Sequence, residues 1–110
     1  MSIYLQNQTE QALNKLTRLA KSGQISDSFA RNIHKLLGIE INQLEIDLAA
    51  TEKDLSEFER QYNLSSAEFF RQWQAGGTDD RMDYVEWASL AQMAENLRNR
   101  LKFLKGESQK

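Results

Sequence analysis

The 110-residue sequence contains neither cysteine nor proline. Without cysteine there is no disulfide, no thiolate metal site and no cysteine nucleophile. Without proline, no helix interior loses an amide donor or meets a ring clash, so long helices can run unbroken. Valine occurs once, at Val85, and the apolar positions are mostly Leu, Ile and Ala at helical spacing. No apolar run approaches the ~20 residues of a membrane span, and the N-terminus lacks a signal-peptide pattern. Net charge is −2, too close to neutral to make nucleic acid or an anionic membrane the expected partner. These absences favour an all-α, cytoplasmic protein of one domain, residues 1–110.

What is present is helical periodicity. Residues 1–7 are weakly patterned, and from Thr9 onward Ala12, Leu13, Leu16, Leu19 and Ala20 recur at three and four, one face of an amphipathic helix. Gly23 is the expected left-handed C-cap of that helix, and Ser26 the N-cap of the next. Along the second helix Leu37, Ile41, Leu44, Leu48, Thr51, Leu55, Phe58 and Tyr62 form a heptad seam. A second stripe, Phe29, Leu36, Ile39, Ile46 and Ala50, covers another side of its first half only. Either the first helix folding back or a second subunit would cover it, so Phe29, Leu36, Ile39 and Ile46 are candidate packing or oligomer residues.

Ser65 and Glu68 have the spacing of a capping box, and Gly76-Gly77 ends the short helix that follows. Trp87, Leu90, Ala94, Leu97, Leu101 and Leu104 make a second seam. The two seam-bearing stretches span about 38 and 32 Å at ~1.5 Å per residue, which suits an antiparallel pair. The expected architecture is therefore four helices, near 8–22, 27–62, 66–75 and 80–104. The second and fourth form a long coiled-coil-like hairpin, the third caps its tip, the first folds back, and residues 106–110 are a disordered tail. The middle of the second helix is acidic (Glu40, Glu45, Asp47, Glu52, Asp54, Glu57 and Glu59 against Lys53), and the basic end of the fourth (Arg98, Arg100, Lys102 and Lys105) would lie beside residues in the forties. Those charges are either solvated flanks with some cross-helix pairing or a binding patch. With acidic neighbours to answer to, the basic run is a poor candidate for nucleic acid.

Seven of the ten aromatics lie between residues 58 and 87, around the hairpin tip. Most should fill the space under the third helix. Phe69, Phe70 and Trp73 cannot all point inward, and Phe70 is the candidate for an exposed anchor. Asp79, Asp80, Asp83 and Glu86 sit where acids favour the positive end of a helix, any of the three aspartates serving as N-cap. Docking to a protein partner is the second reading of these four acids. A metal site is the third, since they match neither a Ca²⁺ loop nor a carboxylate dimetal motif. His34, the only histidine, has no carboxylate at motif spacing. Ser65 and Ser66 lack a nucleophile elbow, and the glycines form no phosphate loop.

Across Phe58–Leu90 the pattern FE-x-x-YNLSSAEFF-x-x-W-x-x-G-x-x-DD-x-x-DYVEW-x-x-L resembles a family of small, largely uncharacterised, all-helical prokaryotic proteins. Members are often encoded beside toxin genes and are regarded as antitoxin-like. The resemblance covers about a third of the chain and carries no established activity, so it implies a context and not a mechanism. It implies that Tyr62, Ser65, Phe69, Gly76, Asp80, Asp83, Tyr84 and Trp87 are shared positions.

The functional expectation is a non-catalytic protein-binding module, with no cofactor and no metal. It would neutralise a small basic toxin or nuclease by occlusion, with homodimerisation expected. Candidate partner-binding residues are Leu13, Leu16 and Leu19, together with Phe70, Asp79, Asp80, Asp83 and Glu86. The alternative is a homo-oligomeric coiled-coil scaffold or adaptor.

Overall fold

A computed structural model describes residues 2–106. The helices are α1 (Ile3–Lys21), α2 (Asp27–Tyr62), α3 (Ser66–Gln74) and α4 (Met82–Leu104), with no strand among the described residues. The chain divides into two compact units, Met1–Leu36 and Leu37–Lys110. The disorder expected for the tail concerns, from residue 107 on, positions outside the described residues. Gly106 is described: it closes α4 in a turn, its N–H bonded to Phe103 O at 3.1 Å.

In the first unit α1 begins five residues earlier than its apolar pattern suggests. Ser2 supplies the reason: its side chain accepts the Leu5 N–H at 3.1 Å and caps the helix, so the weakly patterned start is helical all the same. At the far end Gly23 has φ +72. Its N–H bonds Ala20 O, and that of Gln24 bonds Leu19 O, the paired closure that requires a left-handed residue between. Ser26 then accepts the Phe29 N–H at 3.2 Å and starts α2. No residue of α1 is buried.

In the second unit α2 and α4 form the hairpin. Leu44, Leu97 and Leu101 are buried together, with Ile41, Leu48 and Leu104 against them. A second cluster buries Leu55, Phe69, Trp87, Ala88 and Ala94, and Leu48 packs on both. Among the described residues Thr51 is a polar residue buried in the seam. Its hydroxyl donates back to Asp47 O at 2.9 Å, so burial leaves no unpaired donor. The seam expected to start at Leu37 begins in effect at Ile41. Because α4 ends at Leu104, α2 outruns it, and Leu37 is left 40% exposed.

The expected cross-helix charge pairing is present. Arg98 reaches Glu52 at 3.3 Å and Lys105 reaches Glu45 at 2.9 Å. All four side chains are well exposed, so each pair contributes at most about 1 kcal/mol.

At the closed end Asn63, with φ +51, turns the chain out of α2, and Leu64 N–H bonds Glu59 O. Ser65 caps α3, accepting the Glu68 N–H at 3.1 Å. The reciprocal half of the capping box does not form, because the Glu68 carboxylate accepts from Arg71 and Gln72 instead. Gly76 ends α3 at φ +75, with Gly76 N–H to Trp73 O and Gly77 N–H to Gln72 O. The turn thus places α3 directly on α4.

Phe69 lies flat on Trp87, ring centroids 3.9 Å apart and planes 1° apart. Phe58 and Tyr62 each stack on Trp87 at 5.6 Å. Phe69→Ala removes one face of that stack from a fully buried site. It should destabilise the hairpin by about 3–5 kcal/mol, read as a lower midpoint in urea followed by tryptophan fluorescence. A loss under about 1 kcal/mol would show that α3 is not part of the cooperative core.

Candidate functional site

Of the grooves that flank the aromatic core in the second unit, two collect carboxylates. The first, about 650 Å³, runs between α2, α3 and α4. Leu55, Ala67, Phe70 and Ala91 supply its apolar lining, while Glu52, Glu59, Glu95 and Arg98 supply its charge. Glu52 and Glu59 are seven residues apart and therefore share one side of α2. Glu59 is partly committed, since its Oε2 accepts the Ser66 N–H at 2.7 Å. Ser66 in turn holds the buried tryptophan, accepting the Trp87 Nε1–H at 2.9 Å. The groove wall is thereby tied to the core through Glu59, Ser66 and Trp87.

The second groove, about 390 Å³, is lined by Asp54, Glu57, Phe58, Gln61, Asp83, Glu86 and Leu90. It collects four carboxylates. Among the described residues, no group of three or more His, Asp or Glu is arranged to hold a metal ion.

The acidic turn resolves into separate roles. None of Asp79, Asp80 and Asp83 is the N-cap of α4: that position is Arg81, which makes no side-chain cap bond. Asp79 instead folds the turn. Its Oδ1 accepts Arg81 N–H at 3.1 Å and Nε–H at 2.9 Å, and its Oδ2 accepts Nη2–H at 2.8 Å. These bonds to the Arg81 side chain, then to its backbone, hold the Asp79 carboxyl down to about 2. They lift the Arg81 guanidinium correspondingly. The same guanidinium lies 4.5 Å from the centre of the Tyr84 ring, a cation–π contact. An aspartate that bends the chain back to residue 81 stays outside the helix, which is why α4 starts at Met82 and not near residue 80.

Asp83 accepts a hydrogen bond from the Tyr62 hydroxyl at 2.5 Å, linking the first turn of α4 to the last turn of α2. Asp80 and Glu86 are exposed.

The candidate residues are thus dispersed. Phe70 is half-buried, packed on the core and lining the first groove, so it is only in part the exposed anchor expected. Asp83 and Glu86 line the second groove, and Asp79 is engaged with Arg81. Leu13 and Leu19 are 58% and 41% exposed and Leu16 is half-buried, all in the first unit. Phe29, Leu36, Ile39 and Ile46 are exposed. His34 lines a shallow hollow with Ala20, Gly23, Ile25, Ala30 and Ile33. The first groove's rim was not singled out from sequence. The seven-residue spacing of Glu52 and Glu59 was visible there, but the approach of Glu95 depends on how α4 is rotated against α2.

No family model, no curated protein and no solved structure matches this chain. Among the described residues no helix is long and apolar enough to cross a membrane.

The Tyr62–Asp83 bond makes a pH prediction. The bond to Asp83 comes first, then burial and the Asp83 charge, and together they raise the Tyr62 phenol above its ordinary value of 10.0. A group raised on folding contributes stability that is complete below its unfolded value and is lost as pH rises through the folded one. Stability from this bond is therefore constant up to about pH 10 and declines above it. A phenolate absorbance titration should contain a late step that Tyr62→Phe removes and Asp83→Asn shifts back toward the ordinary range. A wild-type profile without that step would contradict the bond.

Proposed function

We propose that this chain is a non-catalytic, cytoplasmic protein-binding module. It covers a basic partner, such as a small toxin or nuclease, with its acidic hairpin. The observation that carries the reading is the first groove, where apolar Leu55, Phe70 and Ala91 lie inside a rim of Glu52, Glu59 and Glu95 with one cation, Arg98, which pairs with Glu52. Apolar contact supplies most of the affinity in such an interface, while the carboxylates select a cationic partner and speed encounter. Residues 37–110 carry fourteen Asp and Glu against nine Lys and Arg, so this unit attracts cations as a whole. The exposed apolar face of α1, with Leu13 and Leu19, is a second contact surface. The resemblance to antitoxin-like proteins points the same way.

A homo-oligomeric scaffold is the other reading. Ile39 and Ile46 favour it, being 57% and 54% exposed on α2, a large apolar exposure for a helix that needs no partner.

The test is affinity capture from native cells with tagged wild type, a Glu52→Lys/Glu95→Lys variant and a Leu13→Asp/Leu19→Asp variant. All four substituted side chains are exposed, so helical circular dichroism should be retained. Wild type should retain one stoichiometric basic protein, and the groove variant should lose it at least about tenfold, equivalent to about 1.4 kcal/mol. An acidic partner, or capture indifferent to the groove variant, would overturn this reading.

A further inference from the structure

A second seam runs along α4, turned away from the first. Val85, Ser89, Gln92, Asn96, Asn99 and Phe103 are spaced 4, 3, 4, 3 and 4, which keeps them on one side of the helix. At about 100° per residue, that side lies roughly 150° from the leucine seam that meets α2. All six side chains are exposed, Phe103 by 73%. None is charged, although Glu86, Glu95, Arg98 and Arg100 stand elsewhere on the same stretch of helix. At its N-terminal end the seam opens into a groove of about 970 Å³, bordered by Phe70, Trp73 and Gln74 of α3 and by Val85, Ala88 and Met93 of α4.

Reversed, the seam complements itself. Against an antiparallel copy, with a two-fold axis level with Ala94, Val85 meets Phe103, Ser89 meets Asn99 and Gln92 meets Asn96. Each apolar end thus faces an apolar end, and the polar middle faces a polar middle. Phe103 of the second copy arrives at the groove beside Trp73 and Val85. Within one copy the Gln92 amide donates to Asn96 Oδ1 at 3.2 Å, so Gln92 Oε1 can accept, and Asn96 Nδ2 donate, across the axis. Along one flank the same register sets Glu86 of each copy beside Arg100 of the other, an attraction made twice. Along the opposite flank Glu95 meets Glu95 once, at the axis. Arg100 also shares a hollow with Glu40 of its own copy, so the flanks add modestly and the seam supplies most of the fit.

We propose that α4 of one copy pairs antiparallel with α4 of a second copy through this seam, each Phe103 seated in the α3–α4 groove of the other. The contact is isologous, so it closes at two copies. It uses neither the acidic first groove nor the apolar stripe at Ile39 and Ile46. One helix face and one groove make a small interface, which suits a weak, reversible dimer.

The test is sedimentation of the full chain from about 1 to about 100 µM, a range that brackets a Kd of about 10 µM. Wild type should pass from monomer to dimer across it. Phe103→Asp should stay monomeric throughout, and its exposed position leaves the fold intact. Glu86→Arg and Arg100→Glu should each weaken the dimer by roughly fivefold, the scale of exposed ion pairs. Both changes in one chain should restore it. Because the chain lacks cysteine, Met93→Cys places a single thiol beside the axis, and a short bis-maleimide should join two copies there. Ile46→Cys, on α2, should not be joined. A wild type monomeric at the upper concentration, a dimer indifferent to Phe103→Asp, or a double reversal that restores nothing would overturn the proposal. Joining through Ile46→Cys and not Met93→Cys would overturn it and move the dimer to α2. A monomer whose Met93→Cys thiol resists maleimide would overturn it and give the face to another segment of the same chain.

Discussion

The face-to-face contact of Phe69 with Trp87 is the interaction on which the closed end depends. It seats α3 on α4 with both rings almost wholly out of water, and Phe58 and Tyr62 close around the same indole. An indole so buried needs an acceptor for its N–H, because an unpaired buried donor costs about 1–3 kcal/mol. Ser66 provides it at 2.9 Å. The residue that begins α3 therefore also holds the tryptophan, and the Ser66 backbone N–H is held in turn by Glu59 of α2. Three helices are joined by a short chain of bonds around one ring system.

That arrangement determines what the surface offers. With α3 fixed across α4, Phe70 follows Phe69 by one residue and is turned about 100° away from it. It comes to line the groove while still packing on the core. The carboxylates at the rim are on α2 and α4, whose spacing is set by the leucine seam below. A surface built on buried aromatic contacts is more preorganised than one built on a loop, and little ordering cost remains to be met on binding. The acidic turn works differently. Asp79 is occupied in bending residues 79–81, and Asp83 in tying α4 to Tyr62, so two of its four acids have structural work that limits their availability to a partner.

Charge is arranged on two scales. Across the hairpin, Glu45 with Lys105 and Glu52 with Arg98 set acidic α2 against basic α4. Along the chain, a basic first unit precedes an acidic second one. The former steadies a fold at modest energy. The latter gives the two units opposite formal charge, +3 and −5.

Local signals settled much of this protein. The absence of proline, the heptad seams at Leu44–Tyr62 and Trp87–Leu104, the turn at Gly23, and the Ser65 cap of α3 all follow from short-range sterics and periodicity. These operate within a few residues and are legible in order along the chain. Helix ends were read less well where a cap was unpatterned, as at Ser2, or where an aspartate bonded forward and delayed the helix, as at Asp79. The site was legible only in parts. Its acids and aromatics were visible, yet their grouping into two grooves, the separation of Phe70 from Asp83 and Glu86, and the pairing of Tyr62 with Asp83 across twenty-one positions were decided by tertiary structure. Those outcomes depend on the rotation of α4 against α2 and on the seat of α3. Both are fixed by how large side chains fit around Trp87, a condition that spacing along a sequence does not contain.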